Sequence, residues 1–140
     1  MEYLIGLLLA VIVVVFSALV GLDRERSFYV TTLIVVASYY TLFAVMGGSR
    51  HALIVEILAA SVFCVLAVFG FKGNLWLVAV ALVGHGIFDF VRRGFIENPG
   101  VPSWWPGFCF AFDVVFGGWL AVRLLQKMNF SNERKPELKN

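Results

Sequence analysis

Residues 3–22 make up twenty consecutive positions without a charged side chain. That is long enough to cross the hydrocarbon core of a bilayer as one helix. Four further apolar stretches follow, at about 28–46, 51–70, 74–91 and 106–125. Of the 140 residues 61% are hydrophobic and only 14% charged, and the charges gather between the stretches and beyond the last one. A soluble domain is excluded by this pattern. The expected fold class is all-α: a polytopic membrane protein with five transmembrane helices in an antiparallel bundle. One transmembrane helical domain is expected over residues 1–128, with a disordered cytoplasmic tail at 129–140. A cleaved signal peptide fits the first stretch poorly, because Glu2 precedes it and Asp23-Arg24-Glu25-Arg26 follows it.

The connections are short. Gly47, Gly48 and Ser49 separate the second and third stretches, and Gly73 and Asn74 the third and fourth, with Asn74 as an expected N-cap. Returns this tight place spans two, three and four side by side, and the first span, with nothing polar in its middle apart from Ser17, is expected at the periphery. Asn98-Pro99-Gly100-Val101 suits a type II turn, and Pro106 the first position of the fifth helix. Cys64 and Cys109 fall at different depths and are expected to remain free thiols. Asp23-Arg24-Glu25-Arg26 reads as a solvated turn.

Orientation follows from the cations. In a five-span chain, eight of the eleven Lys and Arg residues lie on the side of the first loop, third loop and C-terminus, and three on the other. The positive-inside rule then places the N-terminus outside and the C-terminus in the cytoplasm.

The same topology brings polar groups to one level. Tyr40, Glu56, His85 and Asp113 each lie five to seven residues below the outer end of their span, roughly 7 to 11 Å at a helical rise. Asp89 follows His85 at i+4 and shares its face. Ionisable groups inside apolar spans are costly and usually functional. Glu56, His85, Asp89 and Asp113 are therefore the expected ligand-binding or proton-exchanging residues, with Glu56, His85 and Asp113 converging. Tyr39, Tyr40, Arg92, Arg93, Trp104 and Trp105 are expected in support, with Arg92 and Arg93 near enough to pair with Asp89. Three carboxylates beside a neutral imidazole would carry −3, so a proton, an arginine or a bound cation should relieve them. The plainer reading of His85 and Asp89 is hydrogen bonding to neighbouring helices. The H-x-x-x-D spacing with scattered carboxylates is too unspecific to assign a metal, and no cofactor is assigned.

The segments Gly21-Leu22-Asp23-Arg24-Glu25-Arg26, Ser38 through Gly47, and Asn98-Pro99-Gly100-Val101-Pro102-Ser103-Trp104-Trp105-Pro106-Gly107-Phe108-Cys109 resemble a small bacterial multi-span membrane-protein family of unassigned function. The resemblance runs over residues 21–113 and implies a multi-pass location in the bacterial inner (plasma) membrane. It implies no activity. The leading functional expectation is an outward-facing intramembrane site that binds or transports a cation or small polar molecule. A membrane enzyme using acid/base chemistry on a lipid or isoprenoid-like substrate is the first alternative, and an accessory subunit of a larger complex the second. Expected partners are the lipid bilayer, a small polar or lipid ligand and, since five helices are few for a self-contained pathway, a second copy in a homodimer. No phosphate loop, nucleophilic triad or nucleic-acid surface is present.

Overall fold

The computed structural model describes residues 1–133, with side-chain environments through Ser131. All regular structure among the described residues is helical: α1 (Glu2–Val20), α2 (Arg26–Met46), α3 (Arg50–Lys72), α4 (Leu75–Arg92) and α5 (Trp105–Glu133), with one 3-10 turn at Leu22–Arg24. Each of the five α-helices is long and apolar enough to cross a membrane. Helix α5 continues eight residues past the expected end at 125, so residues 129–133 of the expected tail are helical. The rest of that tail, 134–140, lies outside the described residues.

The ends are set by local chemistry. Helix α1 stops at Gly21, whose φ of 82° and ψ of 6° place it in the left-handed region that glycine enters without a Cβ penalty. Ser49 caps α3 by accepting from the Ala52 amide at 3.2 Å, and Asn74 caps α4 by accepting from the Trp76 amide at 3.0 Å. At the other end of α3, Arg26 donates to the carbonyls of Gly70 and Gly73 at 3.1 and 2.8 Å. The charged turn is accordingly not simply solvated. Asp23 is buried and pairs with Arg123 at 2.6 Å, while the Tyr29 hydroxyl donates to the Asp23 carbonyl. Paired this way, a carboxylate can leave water without standing alone.

Helices α2 and α4 are the central pair. About 44% of the apolar window of each is buried, against 17% for α1 and α3. Helix α5 packs along α4 and α1, and α3 packs along α2 and, less extensively, α4. Helix α3 makes no comparable packing against α5, contrary to the convergence expected of Glu56 on span three, His85 on span four and Asp113 on span five. One half of the bundle is an apolar core in which Tyr29, Leu33, Val78, Leu82, Phe116 and Leu120 are fully buried. Phe28, Tyr29 and Phe116 meet there with ring centroids 5.4 to 5.6 Å apart. Two hydroxyls of α2 turn back onto their own helix: Thr32 donates to the Phe28 carbonyl and Ser38 to the Val35 carbonyl. So satisfied, they can face an apolar surrounding.

The long loop between α4 and α5 is docked by its glycine. Residues 98–101 close a turn through Val101 N–H to Asn98 C=O at 3.1 Å, but Gly100 does not have the positive φ that a type II turn requires. The reason for glycine is proximity. A Cβ on Gly100 would stand 1.8 Å from the Phe43 carbonyl oxygen and 2.9 Å from the Gly47 amide nitrogen, both backbone atoms. Gly100→Ala should therefore lift the loop off the end of α2, with a destabilisation of about 1–3 kcal/mol or more. A thermal melt of the detergent-solubilised variant indistinguishable from the parent would contradict this docking.

Candidate functional site

Two buried polar clusters occupy the end of the bundle where α2 and α4 finish and α3 and α5 begin. Tyr40, Glu56, His85 and Asp113 lie six, six, seven and eight residues from those helix ends, roughly 9 to 12 Å at a helical rise. They share a level, but not one site.

The first cluster joins α4 to α5. Gly86 lets the helices close: a Cβ there would lie 3.1 Å from the Asp113 Cβ and 3.2 Å from the Phe110 carbonyl oxygen. Across that approach His85 Nδ1 hydrogen-bonds Asp113 Oδ2 at 2.7 Å, and it lies 3.6 Å from Asp89 Oδ2. His85 is 2% exposed, and both aspartates are 0% exposed. The Phe63 ring of α3 stands edge-on to the imidazole, with centroids 4.7 Å apart. One ligand atom from each of His85, Asp89 and Asp113 can be chosen so that all three lie within 4.8 Å of one another.

This cluster is short of donors. Both oxygens of Asp89 and Oδ1 of Asp113 have no hydrogen-bond partner among the described residues. Tyr40 and Cys109 reach toward Asp89 from α2 and α5, but neither completes a hydrogen bond by geometry, and the Tyr40 hydroxyl is itself unpartnered. Buried polar atoms are nearly always paired, and each exception calls for a reason.

The second cluster is better paired, with Arg92 Nε its one buried nitrogen left without a partner among the described residues. The Arg92 guanidinium pairs with Glu56 Oε1 and lies over the Tyr40 ring, 3.8 Å from its centroid. Asn98 donates its side-chain amide to Glu56 Oε1 at 3.0 Å and to the Tyr40 carbonyl at 3.1 Å. Arg92 and Glu56 are both buried. The added hydrogen bond and the aromatic face offset part of the cost of desolvating the pair, and removing either partner would strand the other.

These positions revise several expectations. Glu56 does not converge with His85 and Asp113. It is taken up by Arg92 and Asn98, because α3 packs on α2 and α4 and not along α5. Arg92 pairs with Glu56 and not with Asp89, and Arg93 is exposed and donates to the Ser103 carbonyl. Tyr39 belongs to neither cluster. Its ring packs on Trp105 at 5.2 Å, and Trp105 also meets Phe43 and Phe108, so this aromatic group is a wall, while Trp104 is exposed. Asn98 was readable only as a turn residue, since nothing in a loop sequence reports where its amide points. Cys109, four residues before Asp113 and on its face, was the one missed neighbour with a positional signal.

No known protein family, curated protein or solved structure matches this chain.

Proposed function

We propose that the protein binds, and passes across the membrane, a cation held by the His85–Asp89–Asp113 cluster. The single observation that carries this reading is the set of three fully buried carboxylate oxygens, on Asp89 and Asp113, that make no hydrogen bond to any donor among the described residues. Two carboxylates face at most one positive charge on His85, and Arg92 is engaged by Glu56. A carboxylate pair left short of positive charge inside an apolar bundle accepts a cation more readily than any neutral or anionic molecule. Arg92 lies three residues past Asp89 on the same helix, so Glu56 and Asn98 act by holding that competing cation away.

In this reading the five helices form an antiparallel bundle in the bacterial plasma membrane, N-terminus outside and C-terminus cytoplasmic, with the cluster nearer the outer face. The eight-to-three distribution of Lys and Arg supports it. An alkaline phosphatase reporter inserted at Asn98 should be active and one at the C-terminus inactive. The reverse result would place the cluster near the cytoplasmic face. For function, proteoliposomes carrying the protein should take up at least one of Na+, K+ or Mn2+ faster than empty vesicles, and Asp113→Asn should abolish the difference. Wild-type vesicles no faster than empty ones for all three ions, with none of the ions raising the melting temperature, would overturn the reading.

A second reading has its own observation. Helices α1, α2 and α5 enclose an apolar groove of about 480 Å³, lined by Leu9, Val13, Val36, Phe108, Phe112 and others, with Cys109 among its walls. Cys109 also faces Asp89, so an acyl or isoprenoid chain in the groove would lie beside the polar cluster. There His85 oriented by Asp113, at 2.7 Å, and not by Asp89, would be the acid/base pair. Native mass spectrometry showing one stoichiometric lipid, lost when Cys109 is changed to Trp, would favour the enzyme over the transporter.

A further inference from the structure

We propose that the cation of the His85–Asp89–Asp113 site is a divalent first-row transition metal, bound by His85 Nδ1 and one oxygen from each aspartate. This rests on the preceding reading that the cluster takes a cation, and it specifies which class.

Charge balance is the first argument. Two carboxylates and a neutral imidazole sum to −2, so a dication yields a neutral complex, whereas Na+ or K+ would leave −1 among fully buried groups. A net charge in such surroundings is expensive. Donor chemistry is the second. An all-oxygen set would suit Mg²⁺ or Ca²⁺, and a thiolate-rich set Cu(I), but one imidazole with two carboxylates suits Mn²⁺, Fe²⁺, Co²⁺ or Zn²⁺.

Geometry is the third. Ligand atoms around an ion with bonds of about 2.0–2.2 Å lie about 3 to 3.5 Å apart. His85 Nδ1 is 2.7 Å from Asp113 Oδ2 and 3.6 Å from Asp89 Oδ2, which brackets that spacing, and one oxygen of each aspartate lies within 4.8 Å of the other. Binding needs Nδ1 to present its lone pair, with the ring proton on Nε2, Asp113 to share the ion in place of the present hydrogen bond, and the aspartate oxygens to draw in around it. Asp89 needs no rearrangement of partners, because neither of its oxygens has one. Three protein ligands leave positions open. The unpartnered Tyr40 hydroxyl stands on the α2 side to receive an ion-bound water or to approach the ion itself. An incomplete shell suits an ion that must also leave.

The two approaching helices matter as much as the ligands. Both His85 and Asp89 come from α4, and Asp113 from α5, so an ion would tie together two helices that approach closely at Gly86. Binding should therefore raise the melting temperature as well as fill the site.

The test uses tag-free full-length protein in nanodiscs, stripped with chelator, dialysed and titrated with Co²⁺. The expected result is one Co²⁺ per chain by elemental analysis, with the visible d–d absorption of a protein-bound ion and a raised melting temperature. Asp89→Asn and His85→Gln should each weaken binding at least about tenfold, the smallest loss that removing even an outer partner of a metal ligand produces. The control His51→Gln, at the exposed start of α3, should bind as the parent does. If all of these variants bind Co²⁺ equally, the ion sits elsewhere and the assignment is wrong. If Co²⁺ does not bind, while Na+ or K+ stabilises the parent but not Asp89→Asn, the divalent assignment falls and the cation site stands. If no cation binds or stabilises, both fall.

Discussion

Arg92→Met should destabilise the protein by about 3–5 kcal/mol, the loss typical when one member of a buried ion pair is removed. It leaves Glu56, 2% exposed, with only the Asn98 amide as donor, and it removes the guanidinium from the Tyr40 ring. Glu56→Gln should be milder, because Arg92 is not stranded. Asp89 lies three residues before it on α4 with two free acceptor oxygens, and a long guanidinium can swing to it. That rescue has a functional consequence. Once Arg92 occupies Asp89, the cation site is blocked, so Glu56→Gln should bind Co²⁺ poorly while melting closer to the parent than Arg92→Met does. Thermal denaturation in one detergent, with Co²⁺ titration beside it, reads both quantities. If Glu56→Gln were the less stable of the two and bound Co²⁺ normally, Glu56 would not be what keeps Arg92 off the site.

The contrast between the two clusters explains what could be read from the sequence. Helix number and approximate ends were legible because each span is a long uncharged run bounded by glycine, asparagine or charge, and no alternative backbone satisfies its own hydrogen bonds in an apolar medium. Depth was legible for the same reason: counting residues from those ends put Glu56, His85 and Asp113 at one level. What counting could not give is azimuth. Rotating a helix by one residue turns a side chain by about 100°, and that angle decides whether Glu56 meets Asp113 or Arg92. The direction of Glu56 is set by how α3 leans on α2 and α4, through the two-residue return at Gly73 and Asn74 and the Arg26 bonds to the end of α3. Those are tertiary facts. Gly86 illustrates the same limit: in sequence it is one of thirteen glycines, and only the packed helices single it out as the point where Asp113 reaches His85.

Asp89→Asn should make the protein more stable and at the same time inactive. A buried acceptor without a donor carries a desolvation penalty of about 1–3 kcal/mol, more when the group is charged, and Asp89 presents two such oxygens at 0% exposure. Asparagine keeps the shape, removes the negative charge and adds an amide that can donate to the free Oδ1 of Asp113 or to the Tyr40 hydroxyl, both unpartnered. The expected gain is about 1–3 kcal/mol, seen as a higher melting temperature in chelator-stripped buffer. Adding Co²⁺ should reverse the order, since the parent is stabilised by its ligand and the variant is not. This crossing of two melting curves separates function from structure at a single residue. An aspartate retained for the fold would lower stability when neutralised, whatever the ion present. One retained for an ion costs stability until the ion arrives. If Asp89→Asn melts below the parent in stripped buffer, its carboxylate is a structural acceptor and the cation site loses its main support.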